Sequence, residues 1–252
     1  MGLRALPTRV VGTGGPVTVV AHGLGGSIAE TRPLVGGVAG TRVLYASRGH
    51  GDSPLGAEPL SYDVLAGDLA GVADAHAADR VFGVSMGAAT ALVLLAREPD
   101  RFRRAVLFLP PGRTGATGKG PATDADRRLA GLAAALESRD VGAVRASVAA
   151  DLPAELADHT AAYVRARSDY LLASPGLPTV LRSLVTPAPD LSAVSAQVLV
   201  IGQEGDPLHP AQAARDLAAA LPRAQLTVFD APGAVFRERR RLRALVVDFL
   251  AG

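Results

Sequence analysis

Arg80-Val81-Phe82-Gly83-Val84-Ser85-Met86-Gly87 is the stretch on which the fold turns. Arg80–Val84 is short, apolar and β-branched, as expected of a buried strand, and Met86–Arg97 continues with helical spacing. Between them lies Gly83-Val84-Ser85-Met86-Gly87, a Gly-x-Ser-x-Gly placed between strand and helix. That context defines a nucleophile elbow. The two glycines let the backbone turn sharply without side-chain clashes and present Ser85 above the strand end. The Met86 amide, opening the helix, is then placed to donate to a developing oxyanion.

Moving outward, five more segments share the short Val/Leu-rich character: Val17–Ala21, Arg42–Ala46, Arg104–Leu109, Gln197–Gly202 and Gln225–Asp230. Near-continuous apolar strands suit a mostly parallel sheet covered on both faces. Helical patterns alternate with them at Ser27–Val38, Ser61–Ala77, Pro210–Leu221 and Val235–Leu250, which predicts an α/β fold. The alternation stops after Pro110. A turn-rich stretch, Pro110–Gly120, leads into helical pieces near Ala122–Glu137, Val141–Ala149, Pro153–Leu172 and Leu177–Leu184. Residues 1–110 and 190–252 therefore read as a core, and 111–189 as an inserted helical cap. Such a cap belongs over the carboxyl edge of the strands, where open α/β sheets bind ligands. Two glycine-rich stretches fail as phosphate loops. Gly112–Lys119 lacks a glycine five residues before Gly118 and has Gly120 where Ser or Thr is required; Gly23-Leu24-Gly25-Gly26 lacks the third dinucleotide glycine.

His22-Gly23-Leu24-Gly25-Gly26-Ser27 follows strand Val17–Ala21, and Arg48-Gly49-His50-Gly51-Asp52-Ser53 follows strand Arg42–Ala46. With the elbow, these loops resemble the α/β-hydrolase superfamily over residues 1–110 and 190–252. The resemblance implies an α/β-hydrolase fold, a mostly parallel sheet flanked by helices, with Leu24 and Met86 as the two oxyanion amides. It places the acid of a triad at Asp206, in Gln203-Glu204-Gly205-Asp206-Pro207-Leu208-His209-Pro210. It also implies a histidine before the last helix. There the chain reads Asp230-Ala231-Pro232-Gly233-Ala234-Val235-Phe236-Arg237, with Ala234 in the histidine position. No histidine follows His209.

A serine hydroxyl is a poor nucleophile without an adjacent base, so a substitute would have to come from elsewhere. His22 belongs to the oxyanion loop, His50 to the Arg-Gly-His-Gly turn, His76 to a helix and His159 to the cap. His209 is only three residues past Asp206. None is favoured, and the expected protein is an atypical member without its catalytic histidine. An intact oxyanion hole without a base still stabilises an enolate. That absence gives the chain a resemblance to the peptide aspartyl epimerases of bottromycin-type natural-product pathways, bacterial relatives that lost the triad. On that resemblance it would exchange the proton at a peptide Asp Cα, with the substrate's own carboxylate, Asp206 or a cap residue as base. Ser85 would then be a polar contact. His22, Gly23, Ala234, Val235 and Arg237 would line the substrate side, Arg237 steering an acidic group. The alternatives are a serine esterase or amidase using Ser85 and Asp206 with a relocated base, and a non-catalytic ligand- or peptide-binding protein.

Composition narrows the field. Of 252 residues 48% are hydrophobic and 20% charged, enough for a substantial core. The 26 basic and 24 acidic residues leave a net charge of +2, without the excess that phosphate neutralisation demands. No cysteine is present, which removes thiolate nucleophiles, disulfides and Cys-ligated metals. Neither a signal-peptide pattern nor a membrane-length apolar run appears. A cytoplasmic enzyme follows as the expectation, with a small-molecule or modified-peptide substrate in the cap-side cleft, no cofactor, no metal and neither nucleic acid nor membrane as partner.

Overall fold

The structure, a computed structural model, describes residues 6–112, 124–152, 157–186 and 188–252, with the side chains of residues 157–159 left out. Most of the turn-rich stretch after Pro110, with its rejected phosphate motif, therefore lies outside the described residues, as does the His159 side chain.

Among the described residues seven strands form one sheet: β1 (Thr8–Val11), β2 (Val17–Ala21), β3 (Thr41–Tyr45), β4 (Arg80–Val84), β5 (Arg104–Phe108), β6 (Gln197–Gln203) and β7 (Ala224–Phe229). Their order is β1-β3-β2-β4-β5-β6-β7, with β2 through β7 parallel and β1 antiparallel on β3. Side chains alternate across the pleat and split the core in two. Val19, Ala21, Val43, Val81, Ala105 and Leu107 face helices α2 (Tyr62–Ala75) and α3 (Met86–Arg97). Val20, Leu44, Phe82, Val106, Phe108 and Ile201 face α10 (Arg239–Ala251) through Leu242 and Val246. Strands buried on both faces have little room for polar residues, which is why these five- to seven-residue runs read so clearly.

Three departures from the sequence reading have local causes. β1 is exposed along most of its length, so burial left no hydrophobic signature to read. The single helix expected over Ser27–Val38 is a short α1 (Ile28–Thr31) followed by a 3-10 turn, Arg32–Val35; Pro33 supplies no amide hydrogen to continue an α-helix. The helix expected over Val235–Leu250 breaks at Glu238 into α9 (Ala234–Arg237) and α10.

Between β5 and β6 the chain forms α4 (Asp124–Glu137), α5 (Val141–Ala150), α6 (Ala157–Leu172) and α7 (Leu177–Ser183). Helix α6 and the residues just after it reach back to the loops after β2 and β3. Tyr170 donates its hydroxyl hydrogen to the Gly26 carbonyl (3.0 Å), and Ser174 accepts the Gly51 amide (2.9 Å). After β6 comes α8 (Ala211–Ala220). Among the described residues no helix is long and apolar enough to cross a membrane.

Candidate active site

Ser85 sits at φ 49°, ψ −108°, a conformation that L side chains rarely adopt. The glycines around it are sterically required. A Cβ on Gly83 would lie 2.6 Å from the Gly87 carbonyl oxygen, and one on Gly87 would lie 2.3 Å from that of Ala21. The Ser85 amide donates to the Phe108 carbonyl (2.9 Å), fixing the turn to β5. Its hydroxyl caps no helix amide and is left for other partners.

That partner is His209. Ser85 Oγ lies 2.8 Å from His209 Nε2, and His209 Nδ1 lies 3.1 Å from Asp206 Oδ2. A carboxylate has no hydrogen to give, so Nδ1 carries the proton and Nε2 accepts from the serine. The expectation of a serine without a neighbouring imidazole is thereby corrected. The ring comes from the acid's own loop, three residues on, rather than from the loop after β7.

Two features make so short a spacing workable. Asp206 Oδ1 accepts the backbone amides of Leu208 (2.8 Å) and His209 (2.9 Å), closing a turn that carries the ring back over its own acid. Gln203, at the end of β6, donates Nε2–H to Asp206 Oδ2 (2.6 Å) and accepts the Ala234 amide on Oε1 (3.0 Å). Burial alone would raise the Asp206 carboxyl, but the bonds from His209 and Gln203 and the His209 amide bring it down to about 2. It is therefore ionised, as a histidine-orienting acid must be. Gln203 escaped the sequence reading, since a glutamine at a strand end announces no chemistry.

Ala234 does not present a surface to substrate. It is 1% exposed, within the apolar cluster that includes Val20, Leu109, Phe229 and Val246. Val235 is half-buried against the same cluster, and Arg237 is exposed on α9. The exposed Phe236 ring meets Tyr163 of α6 edge-on at 5.7 Å.

The loop after β2 passes directly over the elbow, for a Cβ on Gly23 would lie 3.5 Å from that of Ser85. Two buried histidines hold it. The Ser47 amide donates to His22 Nε2 (3.0 Å), so His22 Nδ1–H donates to the Gly23 carbonyl (2.8 Å). The Gly25 amide donates to His50 Nε2 (2.9 Å), and His50 Nδ1–H donates to the Arg48 carbonyl (2.9 Å). The rings touch edge-on at 4.7 Å. Burial lowers His22 to about 4; burial, and repulsion from His22 once that ring is protonated, lower His50 to about 3. Both are therefore neutral clamps around half-buried Leu24, not bases. His76 ends α2. Beneath the second loop, buried Arg48 makes a two-pronged pair with Asp68 (2.6 and 2.8 Å).

Helix α6 adds a polar group above the first loop. Arg167 Nη1 donates to both Glu30 oxygens (2.6 and 2.5 Å), and Tyr163 donates to Glu30 Oε1 (3.3 Å). Among the described residues no group of His, Asp or Glu is arranged to hold a metal ion.

Strand order, elbow and histidine-clamped loop together define a familiar class. Residues 16–236 match the α/β hydrolase fold family, and the chain belongs to it. A search of the curated proteins found no match. Among solved structures, the enol-lactonase from Burkholderia xenovorans is 23% identical, with TM-score 0.81 over 98% of this chain and 96% of its own. An esterase from Exiguobacterium antarcticum is 16% identical, with TM-score 0.78 over 97% and 95%. A thermophilic esterase from Thermogutta terrifontis is 19% identical, with TM-score 0.77 over 97% and 92%. At these identities the likeness establishes the fold.

Proposed function

We propose that the protein is a serine-dependent acyl hydrolase, an esterase or amidase, with Ser85 as nucleophile, His209 as base and Asp206 as the acid that orients it. The observation that carries this reading is the 2.8 Å approach of His209 Nε2 to Ser85 Oγ, which is within reach for direct proton transfer. Ser85 Oγ attacks the carbonyl carbon while its proton passes to His209 Nε2. The Leu24 and Met86 amides take the negative oxygen of the tetrahedral adduct. His209 then protonates the leaving oxygen or nitrogen, and water enters by the reverse sequence to release the acid. Residues 111–189 act as a cap, with a small-molecule or modified-peptide substrate in the cap-side cleft.

Epimerisation at a peptide Asp Cα rested on a serine with no imidazole beside it, and the position of His209 removes that motive. Two measurements separate the readings. A fluorophosphonate probe is expected to label wild-type protein, but neither Ser85→Ala nor His209→Ala. An unlabelled wild type that incorporates deuterium from solvent at a peptide Cα would return the enolate chemistry to first place.

A further inference from the structure

Arg167 uses only part of its guanidinium. The two-pronged pairs in this protein, Arg48 with Asp68 and Arg182 with Glu137, set two nitrogens against two oxygens. In Arg167, Nη1 alone takes both oxygens of Glu30 (2.6 and 2.5 Å), while Nη2 and Nε have no hydrogen-bond partner among the described residues. Nη2 instead lies beside the loop after β2, 3.6 Å from where a Cβ on Gly25 would stand, next to the buried Leu171 side chain at 3.0 Å from the same point. Gly25 is one Cα step, about 3.8 Å, from Leu24. The guanidinium is also fixed in place. Glu30 sits in the first turn of α1, Tyr163 braces its carboxylate, and the Arg167 side chain is 22% exposed.

We propose that Arg167 is a substrate anchor: its free Nη2 edge binds a carboxylate on the acyl portion of the substrate. The protein would then prefer esters of dicarboxylic half-acids, of succinyl or glutaryl length, over neutral acyl esters. The inference rests on the acyl-hydrolase reading and adds the substrate class. Glu30 already neutralises the guanidinium, and Asp151 adds a negative charge acting on both Arg167 and His209. Diffuse attraction therefore contributes little, and the preference comes from directed, charge-assisted hydrogen bonds. The same loop passes over the elbow, for a Cβ on Gly23 would lie 3.5 Å from that of Ser85, so the anchor and the nucleophile flank one loop. The tie to Glu30 explains how α6 is held, but it leaves the unused edge beside the loop unexplained.

The test compares mono-4-nitrophenyl glutarate with 4-nitrophenyl valerate, a neutral ester of matched length. Wild-type kcat/KM is expected to favour the glutarate by about tenfold or more. Arg167→Met should lower that ratio about 10- to 100-fold, the range set by one charge-assisted hydrogen bond. Glu30→Gln breaks the tie but keeps the anchor, so it should retain the glutarate preference even if its melting temperature falls. A wild type without preference, or an Arg167→Met variant with the wild-type ratio, overturns the anchor while a fluorophosphonate-labelled Ser85 leaves the hydrolase intact. A Ser85 that neither takes the probe nor turns over either ester overturns the hydrolase, and the anchor with it.

Discussion

Asp206 and His209 are bonded twice. One carboxylate oxygen of Asp206 takes the ring Nδ1–H (3.1 Å), and the other takes the backbone amide of the same residue (2.9 Å). Acid and base therefore stand on one turn instead of two loops, and the turn that positions the base is closed by the acid it needs.

Their substitutions should consequently differ in kind. Ser85→Ala and His209→Ala are expected to lower kcat for ester hydrolysis about 10⁴- to 10⁶-fold, each nearly as damaging as the two together. Asp206→Asn should cost about 10⁴-fold by favouring the wrong ring tautomer. It should also lower the melting temperature, because the turn loses a charged acceptor. His209→Ala with near-wild-type turnover would place the base elsewhere.

Gln203 links this turn to the loop where a histidine was expected. Gln203→Leu removes one bond from the Asp206 carboxylate and orphans the Ala234 amide. Each unmade buried hydrogen bond costs about 1–3 kcal/mol. The expected outcome is a 10- to 100-fold lower kcat with KM little changed, and an Asp206 that titrates higher. Gln203→Glu, adding a carboxyl beside the acid, should shift the acid limb of the kcat profile upward, a readout that a packing defect would not move.

The buried histidines make stability depend on pH in a defined direction. His22 and His50 have folded pKa values lowered to about 4 and about 3, against 6.5 when exposed. Below pH 6.5 the unfolded chain takes up protons that the native chain refuses, so unfolding is favoured as pH falls. The stabilisation is complete above pH 6.5 and declines by about 1.4 kcal/mol per pH unit for each histidine, until the native rings protonate near pH 4 and 3. Asp206 adds a smaller loss between 3.8 and about 2. Urea midpoints between pH 7 and 4.5 should fall accordingly. His50→Gln, which keeps an acceptor for the Gly25 amide, should show about half that slope.

The strained elbow gives a prediction of the opposite sign. Ser85 holds φ 49° and ψ −108°, and such strain is of order 1–3 kcal/mol. Ser85→Gly is therefore expected to abolish hydrolysis yet raise the melting temperature, while Ser85→Ala, keeping its Cβ, should not gain the same increment. Equal melting temperatures for the two variants would mean that no strain is stored at the nucleophile.

Legibility in the sequence followed burial. β2 and β4 to β6 are buried on both faces, and Gly83 and Gly87, flanking Ser85, occupy positions where backbone contacts of 2.6 and 2.3 Å admit only glycine; such constraints leave a mark in local sequence. The exposed β1 left none. His209 is visible in the sequence, but spacing along the chain says little about where a turn carries a ring. The motif Asp206-Pro207-Leu208-His209-Pro210, an acceptor side chain three residues before a donor and just ahead of α8, was the available signal. Gln203 reaches Asp206 three residues on but also Ala234, 31 positions away, and Arg167 reaches Glu30, 137 positions away; no local pattern encodes the distant pairs.

Ala234 tests whether the missing histidine is a loss or a replacement. If the site had merely lost its base, restoring an imidazole at position 234 should help. In the structure that methyl group is 1% exposed among Val20, Leu109, Phe229 and Val246, and the backbone beside it is committed to Gln203. An imidazole there would overfill the cluster, at about 1–3 kcal/mol, and would lack a partner for one of its nitrogens. Ala234→His is therefore expected to lower the melting temperature and reduce turnover through displacement of Gln203. It should also fail to rescue His209→Ala in the double variant. Recovery of hydrolysis by Ala234→His in the His209→Ala background, measured with the same 4-nitrophenyl esters, would show instead that the pocket after β7 still accepts a base.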